Sequence, residues 1–442
     1  MIQELLPVLA VVAASLLCLV FLFRRYPAAE ARWMTASLAT HAAAVFVQLY
    51  LVFEIYQTGD LVMYHRYGVD LAESLRLDFW GVAPGIVRVL FQQASGLSVY
   101  VPAAESNTAT MVALVAMCAF VLQDSLVAIS LAFALASFLG KLVLYQAVRE
   151  VTPPRLAVPL LVSIVLVPSV VFWSAGIVKE AVVMPGIGLF VLGLLRSVRG
   201  RRASVIWLVA GATMTALIKP YVLLMLVVAA GGFLYGHRIA KGDGVAGRPI
   251  ALLFAALVVL LGVWAVGEVF PRFSFDRLAE ETARMQSVAF KPAGGSAYVI
   301  GDPEARSLLA QLGFAPFGLF TALFRPLPTE AHNPQMIVSS LESMALLLLS
   351  ALVVSRQSPR RAWTTLRRYP VVAFCLVFVV AFGVAVGLTA ANLGTLSRYR
   401  MPLLPFLTVG LVLLGQRPVG RATGVRTNTI SAVARKGTSG MR

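Results

Sequence analysis

The sequence contains little charge, and acidic residues are the scarcer kind. Only 13% of the 442 residues are charged, with 20 acidic residues against 37 basic ones, whereas an ordinary soluble domain has about 25% charged residues. The mean hydropathy is +0.84, and apolar runs long enough for a helix to cross a bilayer recur along the chain. These runs show no two-residue alternation, which excludes a β-barrel. The composition therefore predicts an all-α, polytopic membrane protein.

Cysteine and the common nucleotide and metal motifs are also scarce. The three cysteines, Cys18, Cys118 and Cys375, lie inside apolar segments, so we expect them to pack rather than to form disulfides or a metal site. The sequence has no Walker phosphate loop, no zinc-type histidine pair and no nucleophile elbow. A soluble domain for nucleotide-linked sugars is excluded, so a sugar donor would have to arrive on a lipid.

The basic residues have a topological explanation. A net charge of +17 could indicate nucleic-acid binding, but the arginines cluster in short connections between apolar segments, as the positive-inside rule expects. Arg24, Arg25 and Arg32 place the first connection in the cytoplasm and the N-terminus outside. Residues 109–122 are too short to cross comfortably. If they crossed, the arginine cluster at 196–202 would lie outside, so we expect this segment to be re-entrant or interfacial.

This reasoning predicts 11 crossings and one transmembrane domain. The predicted crossings are residues 5–23, 33–53, 125–148, 156–173, 181–195, 203–218, 222–235, 250–266, 336–354, 370–388 and 402–414. The domain covers residues 1–415, with outer loops at 54–108 and 268–333, and a basic tail at 416–442 is predicted to be disordered. In the second loop we expect an amphipathic helix at 276–290, a turn at 291–296 and a helix that starts at Asp302.

Several polar residues converge on the outer side in this topology. Cations there oppose the positive-inside rule and require a reason. Asp60 is the candidate catalytic base. The candidate substrate-binding residues are His65, Lys179, Glu180, Lys219, Arg325, Glu330, Arg398 and Arg400.

Each of these residues also has a simpler explanation. Asp60 could cap a helix, Lys179 and Glu180 could neutralise each other, and Lys219 could snorkel. His65 could be an interfacial partner, and Arg398 and Arg400 could anchor a span to lipid phosphates. Their placement on one membrane side is a stronger signal than any one of them. Inside the spans, Lys141 is expected to snorkel, and Glu342 could face a cavity.

Several short motifs lie between 54 and 402. They are Gly59-Asp60 followed by Tyr64-His65-Arg66, the stretch 168–180, and the motifs at 218–220, 324–330 and 397–402. Together they resemble GT-C fold glycosyltransferases that use polyprenyl-phosphate-linked sugars, of the bacterial surface-polysaccharide type. The resemblance implies that Asp60 is the catalytic base and that the later cations lie near the lipid phosphate. It also implies helices along the periplasmic interface. The sequence departs from the family in having a single acid at 60 and an extra span before the acidic loop.

The resemblance implies an inverting glycosyltransferase of the bacterial inner membrane, with its site facing the periplasm. Its partners would be a polyprenyl-phosphate sugar donor, an acceptor glycan or lipid, and membrane lipids, with no nucleic acid. No cofactor is predicted, and the lone Asp60 gives no support for a divalent metal. Two alternatives stay open: a polymerase of the O-antigen type that uses pyrophosphate-linked oligosaccharides, and a transporter of lipid-linked saccharides.

Overall fold

The structure is a computed structural model that describes residues 2–57, 59–241, 313–390 and 392–416, with isolated positions between 249 and 264. Most of the predicted crossing at 250–266, apart from isolated positions, lies outside the described residues. So do the predicted helices and turn between 276 and 304, most of the loop 268–333 and the tail from residue 417. The described residues confirm the all-helical prediction, since 83% are helical and none forms a strand.

Within the described ranges, most consecutive helices are joined by short connections. Their bounds are α1 Ile2–Arg25, α2 Ala28–Tyr50, α3 Asp60–Leu77, α4 Phe79–Leu90, α5 Asn107–Leu122, α6 Leu126–Arg149, α7 Ala157–Val165, α8 Pro168–Phe172, α9 Lys179–Val198, α10 Val205–Ile218, α11 Pro220–Ala240, α12 Ala315–Phe324, α13 Pro334–Ser355, α14 Pro359–Arg368, α15 Val371–Thr389, α16 Leu393–Tyr399 and α17 Leu404–Leu414.

Seven helices of the described part are long and apolar enough to cross a membrane. They are Glu4–Arg25, Ala28–Tyr56, Leu126–Arg149, Lys179–Val198, Pro220–Ala240, Pro334–Ser355 and Val371–Thr389. This confirms a transmembrane helical protein. The count of 11 stays a prediction, because apolar segments such as Asn107–Leu122 and Arg202–Ile218 are shorter.

Residues 54–108, which were predicted to form the first outer loop, fold largely into helices. α2 continues through a short π-helical stretch, Leu51–Tyr56, before α3 begins at Asp60. α3 packs along α5, and the amphipathic α4 packs beside both. Trp80 on α4 is 85% exposed, and an exposed tryptophan on an apolar helix is typical of a membrane interface.

Helix α9 lies between α6 and α10 at very close range. A side chain at Gly188 would come within 2.3 Å of the Gly140 carbonyl oxygen of α6, and one at Gly193 would come within 2.2 Å of the Leu208 amide of α10. Small residues let helix backbones approach in this way, and the resulting van der Waals contact drives association where lipid replaces water. The first turn of α9, which carries Lys179 and Glu180, is therefore held on a rigid support.

Candidate functional site

Asp60 is the first residue of α3 and follows a backbone turn that requires glycine. Gly59 has φ 151° and ψ 168°, a region that residues with a side chain rarely adopt. The turn places the Asp60 carboxylate at the positive end of the α3 dipole, which stabilises an anion. The side chain is 47% exposed, and its Oδ2 accepts a hydrogen bond from Arg398 Nη1 at 2.9 Å.

Glu180 forms the buried centre of the site. Its side chain is fully buried, and Oε1 accepts from Lys219 Nζ at 2.6 Å and from Arg398 Nε at 3.0 Å. Oε2 is also buried and has no hydrogen-bond partner among the described residues. Buried carboxylate oxygens normally receive a donor, so this oxygen is an exception within the described part of the chain.

Arg398 connects the buried carboxylate to the exposed one. It lies near the end of the short helix α16, whose start is capped by Asn392 accepting from the Gly394 amide at 2.8 Å. Burial disfavours its charge, but Glu180 and Asp60 outweigh this and raise the pKa of Arg398. Within the described part of the chain Nη2 donates to no protein group. Arg398 thus remains cationic and has donors for a ligand.

Lys179 lies on the other side of Asp60 and is held by α5. Its Nζ donates to Asn107 Oδ1 at 2.9 Å and to Thr108 Oγ1 at 3.2 Å. It also lies 5.9 Å from the centre of the Tyr64 ring, and Tyr64 is almost fully buried. Burial, followed by the charge of Asp60, raises the pKa of Tyr64, so its phenol keeps its proton at neutral pH.

Aromatic rings enclose the buried lysine. Lys219 Nζ lies 5.2 Å from the ring centre of Tyr399 and 5.8 Å from that of Tyr221. Such contacts stabilise a desolvated ammonium group. Lys219 is 4% exposed, so it acts mainly through Glu180 and does not reach solvent itself.

We call these five charged residues the Asp60 cluster: Asp60, Lys179, Glu180, Lys219 and Arg398. Three of them stand at the starts of α3 and α9, and Lys219 precedes α11 directly. Helix starts expose unpaired backbone N–H groups and positive dipole ends, which favour anions. With three cations and two carboxylates the cluster has a net charge of +1, so it can hold a phosphate beside a carboxylate base.

Arg400 does not join this cluster although it lies two residues from Arg398. It is completely buried, and it donates to the Arg325 carbonyl oxygen at 2.7 Å and to Ser343 Oγ at 2.9 Å. Its guanidinium lies 3.8 Å from Glu342 Oε1, and Glu342 Oε2 in turn accepts from the Ser169 amide. Glu342 therefore faces a packed helix junction that we call the Arg400 junction.

The other predicted binding residues also pair away from the Asp60 cluster. Arg325 and Glu330 form an ion pair with each other next to the Arg400 junction. Burial raises the pKa of Glu330, but hydrogen bonds from Arg325 and the Leu327 amide outweigh it, and the net shift is downward. His65 Nε2 lies 2.9 Å from the Asp124 carbonyl oxygen in the α5–α6 turn.

Lys141 contradicts the expectation that it snorkels. It is fully buried, and its Nζ lies 2.5 Å from His41 Nε2, 2.6 Å from Ser174 Oγ and 3.0 Å from the Val170 carbonyl oxygen. Ser37 holds the other side of His41. The buried partners satisfy the lysine where it lies, so it does not need to extend to the interface.

Sequence reasoning missed the neutral residues of the site. Asn107, Thr108, Tyr64, Tyr221 and Tyr399 complete the surroundings of the two lysines. The signal was available for the last two, because Tyr221 follows Lys219-Pro220 and Tyr399 separates Arg398 from Arg400. Asn107 and Thr108 carried no signal, since only packing brings α5 to α9.

No metal site is evident in the described ranges, where no three His, Cys, Asp or Glu side chains are grouped closely enough to hold an ion. Comparisons of the chain with protein-family models, with curated proteins and with solved structures found no match.

Proposed function

We propose that this protein is an integral membrane glycosyltransferase that moves a sugar from a polyprenyl-phosphate carrier to an acceptor glycan or lipid. The observation that carries the proposal is the half-exposed Asp60 carboxylate beside Arg398, above a buried Glu180–Lys219 pair. This arrangement combines a base with a fixed set of cations. The bacterial inner membrane and a site facing the periplasm are part of the proposal, because the arginine-rich connections are predicted to be cytoplasmic.

In the proposed reaction the acceptor hydroxyl oxygen attacks the anomeric carbon of the donor sugar. The bond between that carbon and the phosphate oxygen breaks, and the phosphate leaves with the electron pair. Asp60 takes the hydroxyl proton as the new bond forms, as a general base does. Attack from the face opposite the phosphate inverts the anomeric centre. Atoms and charge balance with no further reagent.

Arg398 has two roles in this mechanism. Without donor it pairs with Asp60, which keeps the carboxylate in place and neutralised. When the donor phosphate arrives, the forked guanidinium can bind it with the N–H groups that Glu180 does not use. Asp60 then loses part of its partner and becomes available as a base. Lys179 adds a second cation near the departing phosphate, where fixed charges stabilise the developing negative charge.

Glu180 and Lys219 serve as the support for Arg398. Glu180 fixes the Nε edge of the guanidinium, and Lys219 balances the carboxylate so that the buried charges are not left unpaired. His65, Arg325, Glu330 and Arg400 are proposed to position the loops that carry Arg398 and the α5–α6 turn, rather than to touch the donor.

The test is transfer of radiolabelled sugar from polyprenyl-phosphate donors by the purified full-length protein. Asp60→Asn should lower the rate by about 10²-fold or more, with a normal size-exclusion profile. The matched control is Asp70→Asn, because Asp70 is an exposed acid on the same helix and should be neutral to substitution. If Asp60→Asn transfers sugar at the normal rate, the proposal is wrong.

Donor choice separates the enzyme classes. If the wild-type protein uses no monosaccharide donor but extends a pyrophosphate-linked oligosaccharide, and if this extension depends on Asp60, the protein is a polymerase.

One observation favours a transporter as the second candidate. Lys141 of α6 and His41 of α2 meet within two candidate spans, and Ser174, which follows α8, contacts the lysine. Intramembrane ionisable residues often mark a transport or proton route. A transporter would move a lipid-linked saccharide across proteoliposomes without bond formation. If the protein is a transporter, Lys141→Met should abolish movement of the lipid-linked saccharide. If it is the proposed enzyme, Asp60→Asn should abolish sugar transfer.

A further inference from the structure

A second concave site lies at the opposite end of the helices from the Asp60 cluster. It is a cavity of about 810 Å³ where the ends of α13 and α17, the start of α14 and the residues before α7 meet. This volume is within the ~300–1,000 Å³ of small-molecule sites. We call it the arginine pocket, because its lining includes Arg155, Arg356, Arg360, Arg361 and Arg368.

The charge of the arginine pocket is of one sign. Its lining has no acidic residue, and all five arginines are exposed. In the part of the chain that the structure describes, none of the five forms an ion pair with a carboxylate. Five like charges that converge from separate elements repel one another. The arrangement is therefore suited to a multivalent anion that bridges them.

Backbone and amide groups add donors to this site. α14 starts at the pocket, and Ser358 caps it by accepting from the Arg361 amide at 3.3 Å, so a positive helix end adjoins Arg360 and Arg361. Gln416, which also lines the pocket, uses Oε1 to accept from Arg155. Its Nε2 is buried and has no acceptor among the described residues. A phosphate oxygen in the pocket would accept from the exposed arginines and lie near the positive end of α14.

The pocket also has the layered character of a membrane interface. Leu352, which is 44% exposed, lines the pocket beside the arginines, and the buried Val353 and Leu413 also contribute to its lining. α14 is strongly amphipathic, with Trp363 45% exposed at the edge of its apolar face. Basic amphipathic helices with a tryptophan lie in the headgroup region of a bilayer. A soluble anion would use the arginines but would leave the exposed Leu352 and Trp363 without an apolar partner.

We propose that the arginine pocket binds the phosphate headgroup of an anionic phospholipid, with the first carbons of its acyl chains against the exposed Leu352. Basic pockets between helices on the cytoplasmic side are known to hold such headgroups, and the charge distribution predicts that this end is cytoplasmic. The proposal does not depend on the glycosyltransferase function. It assigns these arginines a specific ligand in addition to their topological role.

The test is binding of short-chain phosphatidylglycerol to the purified full-length protein in neutral detergent, measured by native mass spectrometry. Phosphatidylcholine of the same chain length and inorganic pyrophosphate form two further arms. Arg361→Gln and Arg368→Gln should each weaken phosphatidylglycerol binding about fivefold, because each removes the interaction of one basic residue with the lipid charge. The double variant should lose about 25-fold if the two sites add.

Arg367→Gln is the matched control. Arg367 is an exposed arginine on the same helix but does not line the pocket, so the same charge is removed without removing a contact. We expect its effect to stay below about twofold, since solvent screens a charge that does not touch the ligand. The side chains replaced are exposed, and an unchanged melting temperature verifies that each variant folds.

Three results would overturn the proposal. One is equal loss in Arg367→Gln and Arg361→Gln, which would mean that only the general surface charge matters. Another is equal affinity for phosphatidylglycerol and phosphatidylcholine. The third is a wild type that binds pyrophosphate but not phosphatidylglycerol, with the pyrophosphate binding abolished by the arginine substitutions. This result would identify a soluble anion as the ligand.

Discussion

The Asp60 cluster and the arginine pocket both gather cations, but in opposite ways. In the cluster every lysine or arginine is partly or fully buried, and Glu180 or Asp60 neutralises two of the three. In the pocket five arginines are exposed to the outside of the fold, with no carboxylate in the lining. The first region is a preorganised ion-pair network, and the second is a set of charges held apart by the helices that carry them.

The difference shows what burial requires of a charge. A cation removed from water is costly unless a carboxylate and hydrogen bonds surround it, so Lys219 has Glu180 and two aromatic rings. An arginine at the membrane surface keeps its hydration or uses lipid phosphates, so it can remain without a protein partner. Arginine is therefore part of a fixed ion-pair network in the Asp60 cluster, whereas in the arginine pocket it is free to adjust to a ligand.

Removing one charge from each region should give the largest contrast. Glu180→Gln leaves Lys219 and Arg398 buried with less compensation, and we expect the unfolding free energy to fall by about 3–5 kcal/mol. Arg361→Gln should leave it unchanged within error. Chemical unfolding in mixed micelles measures both. Adding Lys219→Met to Glu180→Gln should recover part of the loss, because the two residues are coupled. Equal effects at Glu180 and Arg361 would refute the contrast.

Arg398 and Arg400 allow a second contrast within four residues of chain. Arg400→Gln removes charged hydrogen bonds to a carbonyl and to Ser343 and should destabilise the protein by about 2–3 kcal/mol. Arg398→Gln should lower sugar transfer strongly with a smaller stability loss, because Lys219 still neutralises Glu180. Unfolding and transfer assays on the two variants separate the roles. A stable Arg400→Gln with no transfer would place Arg400 at the donor instead.

Two glycines sharpen the comparison of the backbone. Gly59 precedes Asp60 and Gly200 lies in the arginine-rich connection after α9; both have positive φ, and a side chain at either would meet no atom within 4 Å. Alanine at each position should cost roughly 1–3 kcal/mol of strain. Only Gly59→Ala should also reduce transfer, because it shifts the Asp60 carboxylate. Equal activity of the two variants would argue that the turn does not position the base.

The smallest effect is a pH dependence at Glu330. Arg325 holds its pKa below the ordinary value, so the pair stabilises the fold above the unfolded pKa of about 4.3 and loses this as pH falls through the lower folded pKa. Glu330→Gln should reduce stability at pH 7 by about 1 kcal/mol or less. The difference from wild type should shrink below about pH 4. Glu54→Gln, at an exposed acid outside this ion pair, is the control for the loss of a carboxylate.

The sequence predicted part of the site because charge in a membrane protein is conspicuous. Asp60, Lys179, Glu180, Lys219 and Arg398 were all chosen from polar breaks between apolar runs, and the structure brings these five together. It leaves His65, Arg325, Glu330 and Arg400 outside the cluster, because each finds a nearer partner. Spacing could not separate Arg398 from Arg400, since only the docking of neighbouring elements gives these two arginines different partners.

By itself the sequence determined that this is an all-helical membrane protein with acidic and basic residues at the ends of its apolar segments. The length of the apolar segments and the position of the charges carry that information, because the bilayer requires a minimum apolar length and internally bonded helices in each segment separately. The tertiary structure alone decided which charges meet. Glu180 binds a lysine 39 positions away and an arginine 218 positions away, and close packing of α6, α9 and α10 through small residues fixes that meeting. Such contacts depend on how helices dock, which no local pattern specifies.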